Sequence, residues 1–144
     1  MIFMPEVKLT EDTLRYITLF ENMTKTHVKD CMETEDKLVF VVDQGQANRA
    51  VGKGGENVIK LKNTTGKNIQ VIEYSDDPET FIRNVFYNYS VQSVAIENRG
   101  TIVHATVTVD PKVKGRAIGK NGRNLKIARD IVNRHHNVQS INVA

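Results

Sequence analysis

The stretch Arg116-Ala117-Ile118-Gly119-Lys120-Asn121-Gly122-Arg123-Asn124-Leu125 occurs in this chain twice, the earlier copy reading Arg49-Ala50-Val51-Gly52-Lys53-Gly54-Gly55-Glu56-Asn57-Val58. A shift of 67 positions brings Asp43/Asp110, Arg49/Arg116, Ala50/Ala117, Val51/Ile118, Gly52/Gly119, Lys53/Lys120, Gly55/Gly122 and Asn57/Asn124 into coincidence. Whatever the first half folds into, the second half must fold into as well. Each copy sets two glycines three apart with a lysine between them, where a short helical segment is expected to stop and a longer one to start. A loop of that make-up lets bare backbone approach a ligand closely. The N–H groups of the following helix then face an anion, and the lysine adds a mobile positive charge. The ligand expected is a phosphate, and the surroundings decide whether it belongs to a nucleotide or to a polymer.

Charge along the chain points to the polymer. Residues 1–43 hold five Lys/Arg and nine Asp/Glu, a net −4, and residues 68–110 hold two and six, again −4. Residues 44–67 hold five and one, a net +4, while 111–134 hold eight and one, a net +7. Positive charge is thus concentrated in the two segments that contain the glycine loops, the footprint of a polyanion track. At 144 residues the chain fits one ordinary domain or two small ones, and 40% hydrophobic content describes a globular protein. The longest apolar run, Leu38–Val42, is far too short to span a bilayer. Met1 to Pro5 lack the basic region of a secretory signal. A single cysteine, Cys31, excludes an internal disulfide and suits a reducing compartment. A cytoplasmic protein with no membrane partner is expected.

Hydrophobic spacing predicts the same element order in both halves. Thr10 with Glu11 and Asp12 opens a helix over 11–23, with Leu14, Ile17 and Phe20 inward. A strand over 27–33, a polar turn at Thr34-Glu35-Asp36 and a doubly buried strand over 38–42 follow. Asp43 is expected to cap a short helix ending at the first loop. A helix over 56–63 stops near Gly66, and a strand over 68–73 turns Ile69 and Val71 inward. Ser75-Asp76-Asp77-Pro78 marks the boundary, dividing the chain into 1–75 and 76–144, with Asp77 as N-cap and Pro78 at the first helical position. The second half repeats the series: a helix carrying Phe81, Ile82, Val85 and Phe86, a strand over 91–96, a turn at Glu97-Asn98-Arg99-Gly100, and a strand over 101–109. That last strand alternates Val103, Ala105, Val107 and Val109 against His104, Thr106 and Thr108. Asp110-Pro111 starts the short helix before the second loop. The long helix after it turns Leu125, Ala128, Ile131 and Val132 inward and Arg123, Lys126 and Arg129 outward, and a strand over 138–143 closes the chain.

The run (Val/Ile)-Gly-Lys-x-Gly between helices, set within α-β-β-α-α-β, resembles the KH domain in its type II arrangement. Two in tandem, joined through Asp76-Asp77-Pro78-Glu79-Thr80-Phe81, resemble the KH pair of the NusA family of transcription factors, its short archaeal members above all. The resemblance implies an α+β fold of two domains, each a small three-stranded mixed sheet packed with helices. It also implies a non-catalytic role, in which each groove clamps about four nucleotides of single-stranded RNA. Gly52-Lys53-Gly54-Gly55 and Gly119-Lys120-Asn121-Gly122 would contact the RNA backbone. Val51, Val58, Ile118 and Leu125 would form the apolar floor beneath the bases, with Arg49, Arg116, Arg123 and Lys126 at the rim. Transcription termination or antitermination is the role implied, and RNA polymerase a further partner. The alternatives are a tandem-KH factor in ribosomal RNA processing or assembly, and a protein–protein adaptor on a KH scaffold. Only residues 1–9 precede the first helix, so neither a polymerase-binding region nor an S1 domain is expected.

Other chemistries fit less well. Asn57 stands where a dinucleotide fingerprint needs its third glycine, and neither loop lysine is followed by Ser or Thr in a Walker frame. His135 and His136, adjacent on a helix, would diverge toward solvent or a partner, and His27, His104 and Cys31 lack ligand spacing. Tyr74, Tyr87 and Tyr89 are of a type that stacks on bases, yet they flank the boundary and are expected to be buried there. No cofactor and no metal are expected.

Overall fold

The computed structural model describes residues 9–144; the reading of Met1 to Pro5 lies outside them. The described residues divide into two compact units, one running through Ser75 and the other beginning at Asp76. Each unit is an α+β fold of six elements around a three-stranded mixed sheet.

In the first unit, α1 (Glu11–Thr24) starts from Thr10, whose hydroxyl accepts the Thr13 N–H while the Thr13 hydroxyl accepts that of Thr10. This reciprocal cap satisfies two of the helix's orphan donors. β1 (Val28–Glu33) pairs antiparallel with β2 (Lys37–Val42), and β2 pairs parallel with β3 (Asn68–Glu73). Parallel neighbours need a crossover connection. Here it is α2 (Ala47–Val51), the first glycine turn and α3 (Glu56–Thr65), so the turn lies within the crossover itself. Every residue from Leu38 to Val42 is fully buried, which is why β2 reads as an unbroken apolar run. Phe20 and Phe40 stack at 4.2 Å between ring centroids within a core that includes Ile17, Leu38, Val42, Ala50 and Leu61. Ile69 and Val71 pack against this core, whereas Leu14 is exposed and Tyr16 and Leu19 take the inward role.

The second unit repeats the plan. Asp77 accepts the Thr80 N–H at 3.1 Å and Pro78 opens α4 (Pro78–Val85). The Thr80 hydroxyl, donating to the same carboxylate at 2.6 Å, and that N–H hold the Asp77 carboxyl below the usual carboxylate range. β4 (Val91–Arg99) pairs antiparallel with β5 (Ile102–Val109), which pairs parallel with β6 (Ser140–Val143). α5 (Lys114–Ile118), the second glycine turn and α6 (Arg123–His135) form the crossover. Both hairpins carry an irregularity at the same place, between Val28 and Asp30 and between Val91 and Ser93.

Four local expectations are corrected. Neither aspartate caps its short helix. Asp43 pairs with His27 Nδ1 at 3.0 Å, Asp110 accepts the Lys112 N–H at 2.9 Å, and the helices start at Ala47 and Lys114 without a side-chain cap on their N-cap residues. The Ala47 N–H is met instead by Glu73 Oε1 from the neighbouring strand, at 3.3 Å. Glu97, Asn98 and Arg99 are strand rather than turn, since Arg99 still pairs with Ile102. His135 and His136 do not face solvent: both are buried with their rings 5.6 and 5.3 Å from that of Phe81, because α6 ends at His135 and the extended backbone of His136 brings both inward. Tyr87 is 81% exposed, lying in the turn after α4 whose apolar side Phe81, Ile82, Val85 and Phe86 already fill.

Candidate nucleic-acid interface

The two glycine turns have the same backbone. Gly52 and Gly119 sit at φ/ψ of 82/167° and 81/169°, Gly54 and Asn121 at 62/20° and 58/26°, and Gly55 and Gly122 at 76/17° and 72/14°. The first position is a conformation that only glycine adopts without strain. Space forbids a side chain there too: an added Cβ would lie 2.9 Å from Asn57 Nδ2 at Gly52, and 2.8 Å from the backbone nitrogen of Asn124 at Gly119. The middle position is left-handed, a conformation asparagine tolerates, so Asn121 replaces Gly54 with no change of path.

Each turn is tied to the short helix before it. Asn57 Nδ2 donates to the Arg49 carbonyl at 3.2 Å, and Asn124 Nδ2 donates to the Ala117 carbonyl at 2.7 Å. The N–H groups of Gly52 and Gly55 close on the Asn48 and Gly52 carbonyls, and those of Gly119 and Gly122 on Gly115 and Gly119. The peptides Lys53–Gly54 and Lys120–Asn121 are left at the apex, all four residues exposed. Ala50 and Ala117, fully buried, anchor the short helices beneath.

Around each apex the remaining expected residues gather in sequence-adjacent turns. Arg49, Lys53, Arg116, Lys120, Arg123 and Lys126 are exposed, and among the described residues none of them pairs with a carboxylate. Val51, Val58, Ile118 and Leu125 are half-buried, apolar surface within reach of solvent at the foot of each turn. The arrangement offers bare backbone, uncompensated positive charge and an apolar floor side by side. One charge difference falls at the start of the helix after the turn, where the first residue is Glu56 in one copy and Arg123 in the other. A helix N-terminus favours negative charge, so Glu56 is good for its helix but repels an anion at the turn.

The sequence reading passed over Ile59. It lies on the exposed side of α3, 57% accessible, at the position that Lys126 holds in α6. The same shift of 67 that revealed the loops would have found it. His104, buried on β5 with Nδ1 2.9 Å from Ser140 Oγ, belongs to the sheet and not to this surface. Among the described residues no cluster of His, Cys, Asp or Glu could hold a metal ion, and no helix is long and apolar enough to cross a membrane.

Comparison with known proteins agrees with the architecture. Residues 14–76 match the KH domain family, and residues 78–144 match the family described as the NusA-like second KH domain. The fold and turns define a tandem KH-domain protein. The chain is 36% identical over 140 residues to the probable transcription termination protein NusA of Methanocaldococcus jannaschii, covering 97% of this chain and 76% of that one. It is 35% identical to the protein of the same name from Thermoplasma acidophilum, covering 97% of each. The crystal structure of APE1850 superposes with a TM-score of 0.76 at 34% identity, over 94% of this chain and all of that one. The chain belongs to the NusA family.

Proposed function

We propose that this protein binds single-stranded RNA without catalysis, through its two glycine turns, and acts in transcription termination or antitermination. One observation carries the reading. Two turns of matching backbone each present an exposed Lys-Gly or Lys-Asn apex beside unpaired cations and half-buried aliphatic side chains. Phosphates meet the apex, where no side chain other than the flexible lysine or the short asparagine stands between backbone and ligand. Arg49 on one side, and Arg116, Arg123 and Lys126 on the other, neutralise the neighbouring phosphates. Bases lie on Val51 and Val58, or on Ile118 and Leu125. A duplex would offer the phosphates and withhold the base faces, whereas a single strand offers both. The name carried by the relatives supports the place in transcription; RNA polymerase as a protein partner rests on the family resemblance alone.

The test is binding of a fluorescent ten-nucleotide single-stranded RNA, followed by anisotropy at two salt concentrations. The variants are Lys53→Asp with Gly54→Asp, and Lys120→Asp with Asn121→Asp. Aspartate tolerates the left-handed conformation, so the variants keep the fold while reversing the charge at the apex. Each pair should weaken binding, and wild-type affinity should fall as salt rises. Wild-type affinity in both variants would overturn the reading and favour the adaptor role. Crosslinking in cells then separates nascent transcripts from ribosomal RNA as the target.

A further inference from the structure

The turns match in backbone, yet their surroundings do not match in charge. Residues 44–62 carry four cations and one acid, and the corresponding residues 111–129 carry seven cations and no acid. Among the described residues, none of these eleven cations has a carboxylate partner. Three exchanges alter charge on the helix after the turn within these spans: Glu56 becomes Arg123, Ile59 becomes Lys126, and the exposed Lys60 becomes the half-buried Ile127. Glu56 and Ile59 are three apart and share a face of α3. At 57%, Ile59 is the most exposed large aliphatic residue among the described residues.

We propose that the two domains divide the grip on RNA, resting on the single-strand reading above. The second domain supplies most of the phosphate contact. The first takes a base or ribose face against Ile59 and discriminates by apolar contact rather than by charge. A single strand releases counterions in proportion to the phosphates neutralised, with a slope of about −0.7 per contact. The seven-cation surface therefore dominates the salt dependence. Ile59 lies one helical turn beyond Glu56, whose carboxylate repels phosphate, so the groove there favours the uncharged part of the nucleotide. Ile59 is therefore a specificity-determining residue of the first domain, and Lys126 an anchoring residue of the second.

The experiment uses the full chain and a fluorescent ten-nucleotide single-stranded RNA of mixed sequence, titrated at four salt concentrations. Ile59→Ala should weaken binding about five- to tenfold, the worth of a few aliphatic carbons taken out of water, by the same factor at every salt. Lys126→Ala should reduce the slope of log affinity against log salt by about 0.7, and Ile59→Lys should steepen it by about as much. A polyphosphate of ten units, which has charge and no bases, should bind Ile59→Ala and wild type alike. Since Ile59 is exposed, neither substitution threatens folding. Wild-type RNA affinity in Ile59→Ala would overturn the division, as would a loss that fades with salt or an equal loss toward polyphosphate. If the loop variants lose RNA while Ile59→Ala does not, this inference alone fails. If wild type binds no RNA, the single-strand reading fails with it.

Discussion

Replacing Gly119 by alanine is expected to be among the most damaging small changes at either turn, for reasons the geometry makes quantitative. A residue with a side chain at φ 81° and ψ 169° lies in a region that costs of order 1–3 kcal/mol to occupy. The new Cβ would also stand 2.8 Å from the Asn124 backbone nitrogen and 2.9 Å from its Cβ. Relief requires moving the first turn of α6, an overpacking that typically costs about 1–3 kcal/mol. Together these predict a loss of roughly 3 kcal/mol, or a fall in Tm of about 10–20 °C for a domain of this size. Gly122→Ala is the control. Its φ of 72° is left-handed and its Cβ would meet nothing within 4 Å, so only the conformational cost of about 1 kcal/mol applies. Gly52→Ala should fall between them, because its nearest contact is the Asn57 side-chain amide at 2.9 Å, which can rotate away by giving up the Arg49 carbonyl. Urea denaturation followed by far-ultraviolet circular dichroism measures all three. Equal stability of Gly119→Ala and Gly122→Ala would refute the argument that close packing under the turn excludes a side chain.

Gly54→Asn should leave stability within a few tenths of a kcal/mol of wild type, since Asn121 already occupies the same left-handed position; the same denaturation assay reads it. Asn124→Ala should cost about 1 kcal/mol through the lost bond to the Ala117 carbonyl at 2.7 Å, and Asn57→Ala less, its bond being longer and more exposed. Glu56→Arg should tighten RNA binding severalfold at low salt, an advantage that shrinks as salt is added. The Asp77 carboxyl is depressed in the folded state by the hydroxyl and amide of Thr80. Its contribution is therefore fully present above the unfolded carboxylate value of about 3.9 and is lost as pH falls through the folded value. Asp77→Asn should flatten the stability profile below about pH 4, measured by urea midpoints across that range.

Much of the fold was legible because each local signal had a local cause. The run Leu38–Val42 is apolar throughout because β2 is central and buried on both faces. Asp77-Pro78 and Thr10 sit where helices begin because their own side chains and ring geometry satisfy the first turn. The glycine turns were legible because the chain spells them twice. What escaped depends on residues distant in sequence. Asp43 looked like a cap, but the Ala47 N–H finds Glu73, 26 positions away, while Asp43 is taken by His27. Arg99 looked like a turn residue until its pairing with Ile102 extended the hairpin. The two histidines read as polar because nothing local showed that Phe81 would cover both rings. Ile59 escapes for a different reason: it stands at a position where the two copies differ, against Lys126 in α6.

The most direct test of the central claim is a titration of isotopically labelled protein with a ten-nucleotide single-stranded RNA, followed by backbone amide resonances. Binding at the two turns predicts that the largest shifts fall on residues 49–59 and 116–126, led by the Lys53–Gly54 and Lys120–Asn121 apices. Duplex RNA of the same length, which withholds its base faces, should move the amides of Val51, Val58, Ile118 and Leu125 far less. Shifts centred elsewhere, or equal shifts from duplex and single strand, would contradict the assignment of these turns as a single-strand RNA grip.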